Sequence, residues 1–173
     1  AACRPICTWF GNPNPGGQVQ FSQALLQGPT TINVSLINLN SMAGGYHVHI
    51  LPITPGSADP CSNANILGHY NPFNITHIYN RSTAGEGTVD QYEIGDIAGK
   101  FGTLDGLNQS DAVYMDPDMP LTGPYSIVGR SLVQVNLALS RAGERDYIKS
   151  LSSLRAACSL LSESYDDSIK RFI

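Results

Sequence analysis

The sequence predicts a β-rich domain, because its composition favours strands and turns and its apolar residues alternate with polar ones. Of the 173 residues, 42% are hydrophobic and 14% are charged, and the chain contains 17 Gly and 11 Pro. This composition is typical of a globular protein rich in strands and turns, and it argues against a helical bundle or a disordered chain. The length allows one domain with a full hydrophobic core and is short for two.

Alternation of apolar and polar residues predicts the first strands. In residues 31–39, this alternation places Asn33 outside and buries three aliphatic residues, Ile32, Val34 and Leu36. Further strands are predicted at residues 8–10, 18–23, 44–51, 99–104, 112–115 and 125–135.

Residues 52–91 interrupt the strand pattern with a segment rich in Pro, Asn, Gly and Ser. Loops of this length are uncommon inside a compact domain and are usually functional or disordered. Because Cys61, His69 and His77 all lie in this segment, we expect something to hold it to the rest of the fold.

The C-terminal part of the chain has a different pattern. Apolar residues at 147, 148, 151 and 154 share one helical face, which predicts a short helix near residues 145–153. The tail, residues 164–173, has a charged middle and an apolar end. It either docks on its own domain or on a partner, or it frays.

Charge and hydropathy exclude two classes of partner. A net charge of -4 leaves no basic face for a nucleic acid, so we expect no nucleic-acid partner. No apolar run approaches the roughly 18 residues that a membrane span needs, so we expect no span.

Cysteines and sequons favour a secreted, disulfide-bonded glycoprotein. The cysteines form an even set, and the first two are too isolated for a four-ligand zinc site, so two disulfides fit better than metal. They are Cys3, Cys7, Cys61 and Cys158. Candidate glycosylation sites in N-x-S/T sequons are Asn33, Asn74, Asn80 and Asn108.

The stretch G-G-Y-H-V-H-I-L-P, residues 44–52, contains two histidines one residue apart. In a strand, His47 and His49 point to the same side, as two ligands of one metal ion do. The alternative is that they are two ordinary strand histidines.

Five motifs, in order along the chain, resemble the copper/zinc superoxide dismutase family. They are G-Y-H-V-H (45–49), G-H-Y-N-P (68–72), E-I-G-D-I-A-G-K-F-G (93–102), I-V-G-R-S-L-V (127–133) and L-R-A-A-C (154–158). The resemblance covers about residues 8–162 and becomes specific only when the motifs are taken together.

The resemblance implies an all-β fold, an eight-stranded antiparallel Greek-key barrel with long loops. The barrel domain would span residues 1–163, followed by the tail at 164–173, with a short helix near 145–153. It also implies a disulfide between Cys61 and Cys158 that pins the long loop to a strand at 156–161, with Cys3 and Cys7 as the remaining cysteines.

For the site, the resemblance implies that His47, His49 and His69 are copper ligands and that Arg155 guides the superoxide anion. The position of the family's fourth copper histidine falls at Val135, which cannot ligate a metal. Either a three-histidine site with weaker affinity for Cu(II) remains, or the site is vestigial. A soft ligand from Met42, Met115 or Met119 would favour Cu(I).

Zinc is the less expected metal, although zinc accepts carboxylate and His69, His77, Glu93 and Asp96 together offer four candidate ligands for it. His77 and Asp96 match two zinc ligands of the family, but a third zinc histidine falls at Glu93. Glu-x-x-Asp ahead of Ala-Gly-Lys is similar to the copper-only extracellular dismutases of fungi, which lack zinc and use the glutamate to orient a copper histidine.

Two functions follow as hypotheses. The first is a secreted dismutase-like domain with an incomplete three-histidine copper site, acting with low activity or as a non-catalytic binding or structural module. The alternative is an active extracellular copper-only dismutase that converts superoxide to oxygen and hydrogen peroxide. A homo-oligomer or an extracellular assembly through the C-terminal tail is a further expectation.

Overall fold

Seven strands in two antiparallel sheets form the described part of the chain. The computed structural model describes residues 6–8, 16–25, 27–41, 43–54, 61–76, 84–136 and 156–159. The strands are β1 (Ile6–Thr8), β2 (Gly16–Gln23), β3 (Thr30–Ile37), β4 (Ala43–His49), β5 (Ser110–Asp116), β6 (Ser131–Asn136) and β7 (Ala156–Ser159). One sheet has the order β1-β2-β3-β5 and the other has the order β4-β6-β7.

Strand β3 shows why the alternating pattern was informative. Ile32 and Val34 are fully buried and Asn33 is exposed, as the pattern predicted. Across the ladder, Val34 pairs with Val19 and Ile32 pairs with Phe21, so each apolar residue meets another on the same face. The inner face of this sheet is thereby buried, whereas its outer face is exposed and of mixed polarity, since Asn33 pairs with Val113, which is 66% exposed.

The hydrophobic core joins the two sheets. Buried side chains of β2 and β3 form one cluster with Tyr46 and Val48 of β4 and with Leu132 of β6. Because β4 contributes alternate residues to this core, His47 and His49 lie on its other face. The all-β prediction is confirmed, and the core fixes the side of β4 that carries the histidines.

The strand predicted at residues 99–104 is wrong. Residues Ile97–Phe101 form a short helix, α2, because the Asp96 carboxylate accepts a hydrogen bond from the backbone N–H of Gly99 at 2.7 Å. The helix ends at Gly102, whose φ of 107° disfavours other residue types.

The strand predicted at residues 125–135 begins only at Ser131. The backbone turns before it, where Arg130 N–H donates to the Ile127 carbonyl at 3.2 Å and Gly129 has a φ of 81°. This turn places Arg130 at the entrance of β6.

The segment 52–91 lacks strands wherever it is described, as predicted. It contains the short helix α1 (Asn63–Ile66) and a 3-10 turn at Val89–Gln91. No helix in the described ranges is long and apolar enough to cross a bilayer.

A buried ion pair ties α2 to β5. Lys100 Nζ lies 2.7 Å from Asp116 Oδ2, and both side chains are fully buried. The ammonium also donates to the Ile94 carbonyl at 3.1 Å. Since a buried charge needs a partner, each of these groups depends on the other.

Several predicted features lie outside the described residues. These are the helix near 145–153, the tail 164–173, Arg155, His77, Asn80, Met42 and Cys3.

Candidate metal centre

The structure brings three imidazoles together. His47 and His49 come from β4, and His69 pairs with His49 in an isolated antiparallel bridge. The rings of His47 and His69 are stacked, with centroids 4.1 Å apart and planes 13° apart. The rings of His49 and His69 meet edge to face at 5.1 Å.

Backbone hydrogen bonds hold the segments that carry these rings. Val48 N–H donates to the Gly95 carbonyl at 2.8 Å, Tyr70 N–H to the Val48 carbonyl at 2.8 Å, and Gly95 N–H to the Tyr70 carbonyl at 3.0 Å. A Cβ at position 95 would collide with the Val48 carbonyl oxygen, so the close approach requires glycine. The histidines of β4 and of the loop are therefore fixed against the segment 93–96.

The hydrogen bond of His49 defines its tautomer. His49 Nδ1 lies 2.9 Å from the Leu67 carbonyl oxygen. A carbonyl only accepts, so Nδ1 carries the proton and the lone pair of the neutral ring is on Nε2.

His69 is oriented by a carboxylate. Its Nδ1 lies 3.0 Å from Glu93 Oε2, and Asn71 Nδ2 donates to Glu93 Oε1 at 3.3 Å. The carboxylate accepts from both neighbours, so the neutral His69 ring has its lone pair on Nε2. Such a carboxylate–imidazole pair is typical behind a metal-ligating histidine.

His47 has the reverse arrangement. Its Nε2 lies 3.3 Å from Asp96 Oδ1, and the same carboxylate caps α2. Its Nδ1 is buried and has no hydrogen-bond partner among the described residues. A buried polar atom without a partner is costly, and a metal ion is one group that satisfies an imidazole nitrogen. The donor chemistry therefore fits a metal that accepts imidazole, such as copper.

The three imidazole rings are not oriented as ligands of one metal ion. Within the described ranges, no group of three or more His, Cys, Asp or Glu side chains has the geometry of a metal site. Because a ligated metal lies in the plane of each imidazole, the nearly parallel planes of His47 and His69 cannot share one ion without a change of tilt.

The backbone of β6 lies beside the histidines. Val133 pairs with His47, and Val135 follows two residues later in the same strand. Met119 is buried in the core, whereas Met115 is 62% exposed on β5 of the other sheet.

The cysteines fall at two places in the described residues. Cys61 is buried and packs with Ile66 and Val133. Cys158 lies in β7, and its backbone pairs with that of Leu132 in β6. The neighbouring residue Ala157 pairs with Val133. Cys7 lies in β1, the strand that pairs with β2. The predicted Cys61–Cys158 disulfide stays a prediction.

Three of the sequon asparagines are exposed, namely Asn33 on β3, Asn74 and Asn108. Their exposure is compatible with glycosylation.

Three supporting residues escaped the sequence analysis. Asn71 holds Glu93, and Gly99 leaves room for the Asp96 carboxylate. Arg130 stacks 3.5 Å above the Tyr70 ring and donates to the Ile50 carbonyl at 2.8 Å, so it contacts the residue after His69 and the residue after His49. All three residues lie in motifs of the resemblance, at 68–72, 93–102 and 127–133, but the motifs alone do not show the contacts that these residues make.

Fold and site together define a β-sheet protein with a histidine cluster supported by carboxylates. The family profile described as copper/zinc superoxide dismutase matches residues 16–144, well over half of the chain. The chain belongs to the copper/zinc superoxide dismutase family.

Two curated relatives and one solved structure give the range of similarity. The extracellular superoxide dismutase [Cu-Zn] of Brugia pahangi is 33% identical over 122 residues, which cover 70% of this chain and 53% of that protein. The superoxide dismutase [Cu-Zn] of Claviceps purpurea is 28% identical over 163 residues, covering 91% of this chain and 96% of that protein. The chain thus spans about half the length of the Brugia protein and nearly all of the Claviceps protein.

Copper(II)-containing superoxide dismutase 5 of Candida albicans has a similar fold. The TM-score is 0.69 with 20% identity, and all of both chains is covered.

Proposed function

We propose that this chain is an extracellular copper-binding member of the family, with a three-histidine site of reduced dismutase activity. The observation that carries the proposal is the buried Nδ1 of His47, which lies in a cluster with the His49 and His69 rings and has no hydrogen-bond partner among the described residues. Copper, when bound, would supply the one-electron oxidation and reduction that superoxide dismutation requires.

The chain's own residues prepare the rings for a metal. Leu67, Glu93 and Asp96 each engage one nitrogen of a different histidine. In the neutral rings, the lone pairs are then on His47 Nδ1, His49 Nε2 and His69 Nε2. A site held in this way selects the ligating atoms before the ion arrives.

The same contacts support a role without zinc. Glu93 is occupied by His69 and Asn71, and Asp96 by His47 and the backbone of Gly99. Both carboxylates therefore act as orienting groups, in accord with the resemblance to copper-only dismutases. His77 would then have no part in metal binding.

The reduced activity follows from Val135. By the resemblance, an aliphatic residue stands where the family has its fourth copper histidine. Three imidazoles hold Cu(II) less firmly than four, and Arg155 would still attract superoxide by its charge. The extracellular location is supported by the name of the Brugia relative and by the sequons.

The test measures metal content and activity together. Purified protein is loaded with copper, dialysed, analysed for copper and zinc, and assayed for superoxide removal. We expect about one copper per chain, little zinc and weak turnover. Retention of zinc without copper, or no retained metal, would overturn the proposal.

The variant Val135→His tests the missing ligand, with Val135→Ala as its control. The new imidazole should raise both copper affinity and dismutase activity, whereas alanine should raise neither. Full family-level activity in the unaltered chain would favour the alternative function, an active copper-only dismutase.

A further inference from the structure

A cleft of about 310 Å³ lies apart from the histidine cluster. Its walls are mostly apolar, and they include the aromatic rings of Phe73, Tyr92 and Tyr125. Two carboxylates, Asp90 and Asp118, also line it. Its volume is in the range of small-molecule sites, and none of the three histidines takes part in it.

Two of the aromatic side chains that line the cleft are exposed to solvent. The rings of Phe73 and Tyr125 contact each other at 4.7 Å with planes tilted by 54°. They are nevertheless 55% and 44% exposed, which is unusual for large apolar side chains that already have a neighbour.

Hydrogen bonds hold both rim loops in place. Asn71 Nδ2 donates to the Ile75 carbonyl at 2.8 Å and its Oδ1 accepts from Ile75 N–H at 2.8 Å, which closes the loop that carries Phe73. On the other side, Ser126 Oγ donates to the Leu121 carbonyl at 2.8 Å, next to Tyr125. The cleft is therefore preformed.

Among the described residues, no basic side chain is in direct contact with the two carboxylates of the cleft to neutralise their negative charge. Asp90 and Asp118 make no ion pair with a basic side chain in the described ranges, since the nearby Lys100 is bound to Asp116. Burial raises the pKa of Asp118, and the charges of Asp116 and Asp90 raise it further, while Lys100 opposes them. A cation in the cleft would relieve this repulsion.

We propose that the cleft binds a small organic ammonium ion, with its apolar part against Phe73, Tyr92 and Tyr125 and its charge beside Asp118 and Asp90. Aromatic faces and carboxylates both attract ammonium ions, whereas apolar walls alone would favour a neutral ligand. The ammonium comes either from a free amine or from a lysine side chain of another protein. This proposal does not depend on copper at the histidines.

The test compares three probes of similar shape by calorimetry on the metal-free and copper-loaded protein. Phenethylammonium should bind with a dissociation constant of about 1 mM or tighter, and more tightly than neutral 2-phenylethanol or anionic 3-phenylpropionate. Nα-acetyl-lysine methylamide distinguishes the two sources, because binding of this probe indicates a lysine side chain. Equal binding of the alcohol and phenethylammonium would overturn the proposal, as would the failure of both ammonium probes to bind.

Variants locate the binding. Asp118→Asn and Tyr125→Leu should each weaken phenethylammonium binding by about threefold or more, since each removes one attractive group. Tyr125→Phe keeps the ring, and Asp105→Asn removes an exposed carboxylate that does not line the cleft, so both should bind as the unaltered protein does. An effect of Asp105→Asn equal to that of Asp118→Asn would show attraction to net charge alone and overturn the proposal.

Discussion

His47 and His69 stack ring on ring, 4.1 Å between centroids, although they lie 22 residues apart on a strand and a loop. Within the described part of the chain, Nδ1 of His47 has no hydrogen-bond partner, whereas Nδ1 of His69 is hydrogen-bonded to Glu93. The His47–His69 contact therefore involves both packing of the two rings and their affinity for a metal. Substitutions of His69 can separate these two properties.

The variant His69→Phe separates them. Phenylalanine retains an aromatic ring against His47 but has no nitrogen, so copper binding should be lost while the unfolding temperature changes little. His69→Ala removes both ring and nitrogen and should lose copper and stability together. Copper content and thermal unfolding provide the two readouts. Unchanged copper binding in both variants would falsify the role of His69 as a ligand.

Glu93→Gln should weaken the site through hydrogen bonding. The glutamate accepts from His69 and from Asn71, whereas a glutamine has one accepting oxygen and one donating nitrogen. In Glu93→Gln, the side-chain NH₂ group must therefore face either the N–H of His69 Nδ1 or the NH₂ group of Asn71, so that two donors meet. Copper affinity should then fall by about 10- to 100-fold. Glu86→Gln, at an exposed position, is the control. Competition against a chelator measures both, and the idea fails if the two variants have equal affinities.

Gly99→Ala should alter the environment of His47 indirectly, through the side chain of Asp96. An added Cβ would lie 2.6 Å from Asp96 Cγ, so the carboxylate that contacts His47 Nε2 must move. Overpacking of this kind costs about 1–3 kcal/mol, and copper affinity should fall as well. Gly68→Ala, next to His69, has open space around the added Cβ and should be neutral. Equal behaviour of the two variants in unfolding and copper titration would contradict this steric account.

Lys100→Met should destabilise the fold by about 3–5 kcal/mol, because it leaves the fully buried Asp116 without its cation. In the double variant Lys100→Met/Asp116→Asn the buried charge is gone, and the amide oxygen can still accept from Asp118 N–H. The double variant should therefore be more stable than the single one in urea unfolding. A double variant that is equally or less stable would show that the ion pair is not the cause.

Asp118→Asn should stabilise the protein at neutral pH. The pKa of Asp118 is raised in the folded state by burial and by Asp116 and Asp90, against the opposite effect of Lys100. The folded state then binds this proton more tightly than the unfolded state, so the carboxylate opposes folding above its raised pKa. The gain should shrink as the pH falls through the raised pKa towards the unfolded value. Urea unfolding across this range tests the sign, and a gain that grows on acidification would contradict it.

The sequence predicted the features that depend on local periodicity. Alternation in β3 placed Ile32 inside and Asn33 outside, and the spacing of His47 and His49 placed both on one face of β4. These relations follow from the two-residue repeat of a strand and need no knowledge of the rest of the fold.

Features that depend on distant contacts were not predicted. The Asp96 carboxylate caps the helix α2, yet residues 99–101 of this helix fall within the strand predicted at 99–104. The contact between Arg130 and Tyr70 joins residues 60 positions apart, and no local pattern contains it. The roles of such residues depend on contacts that form only in the folded chain, so they can be identified only from the structure.

The most direct test of the central claim is a titration of the metal-free protein with Cu(II), followed by electron paramagnetic resonance. The account predicts one tightly bound ion per chain, with hyperfine structure from about three imidazole nitrogens. It also predicts that this spectrum is lost in His47→Ala, His49→Ala and His69→Phe. Weak binding at scattered sites, or a spectrum that survives all three substitutions, would contradict the assignment of these histidines as a copper site.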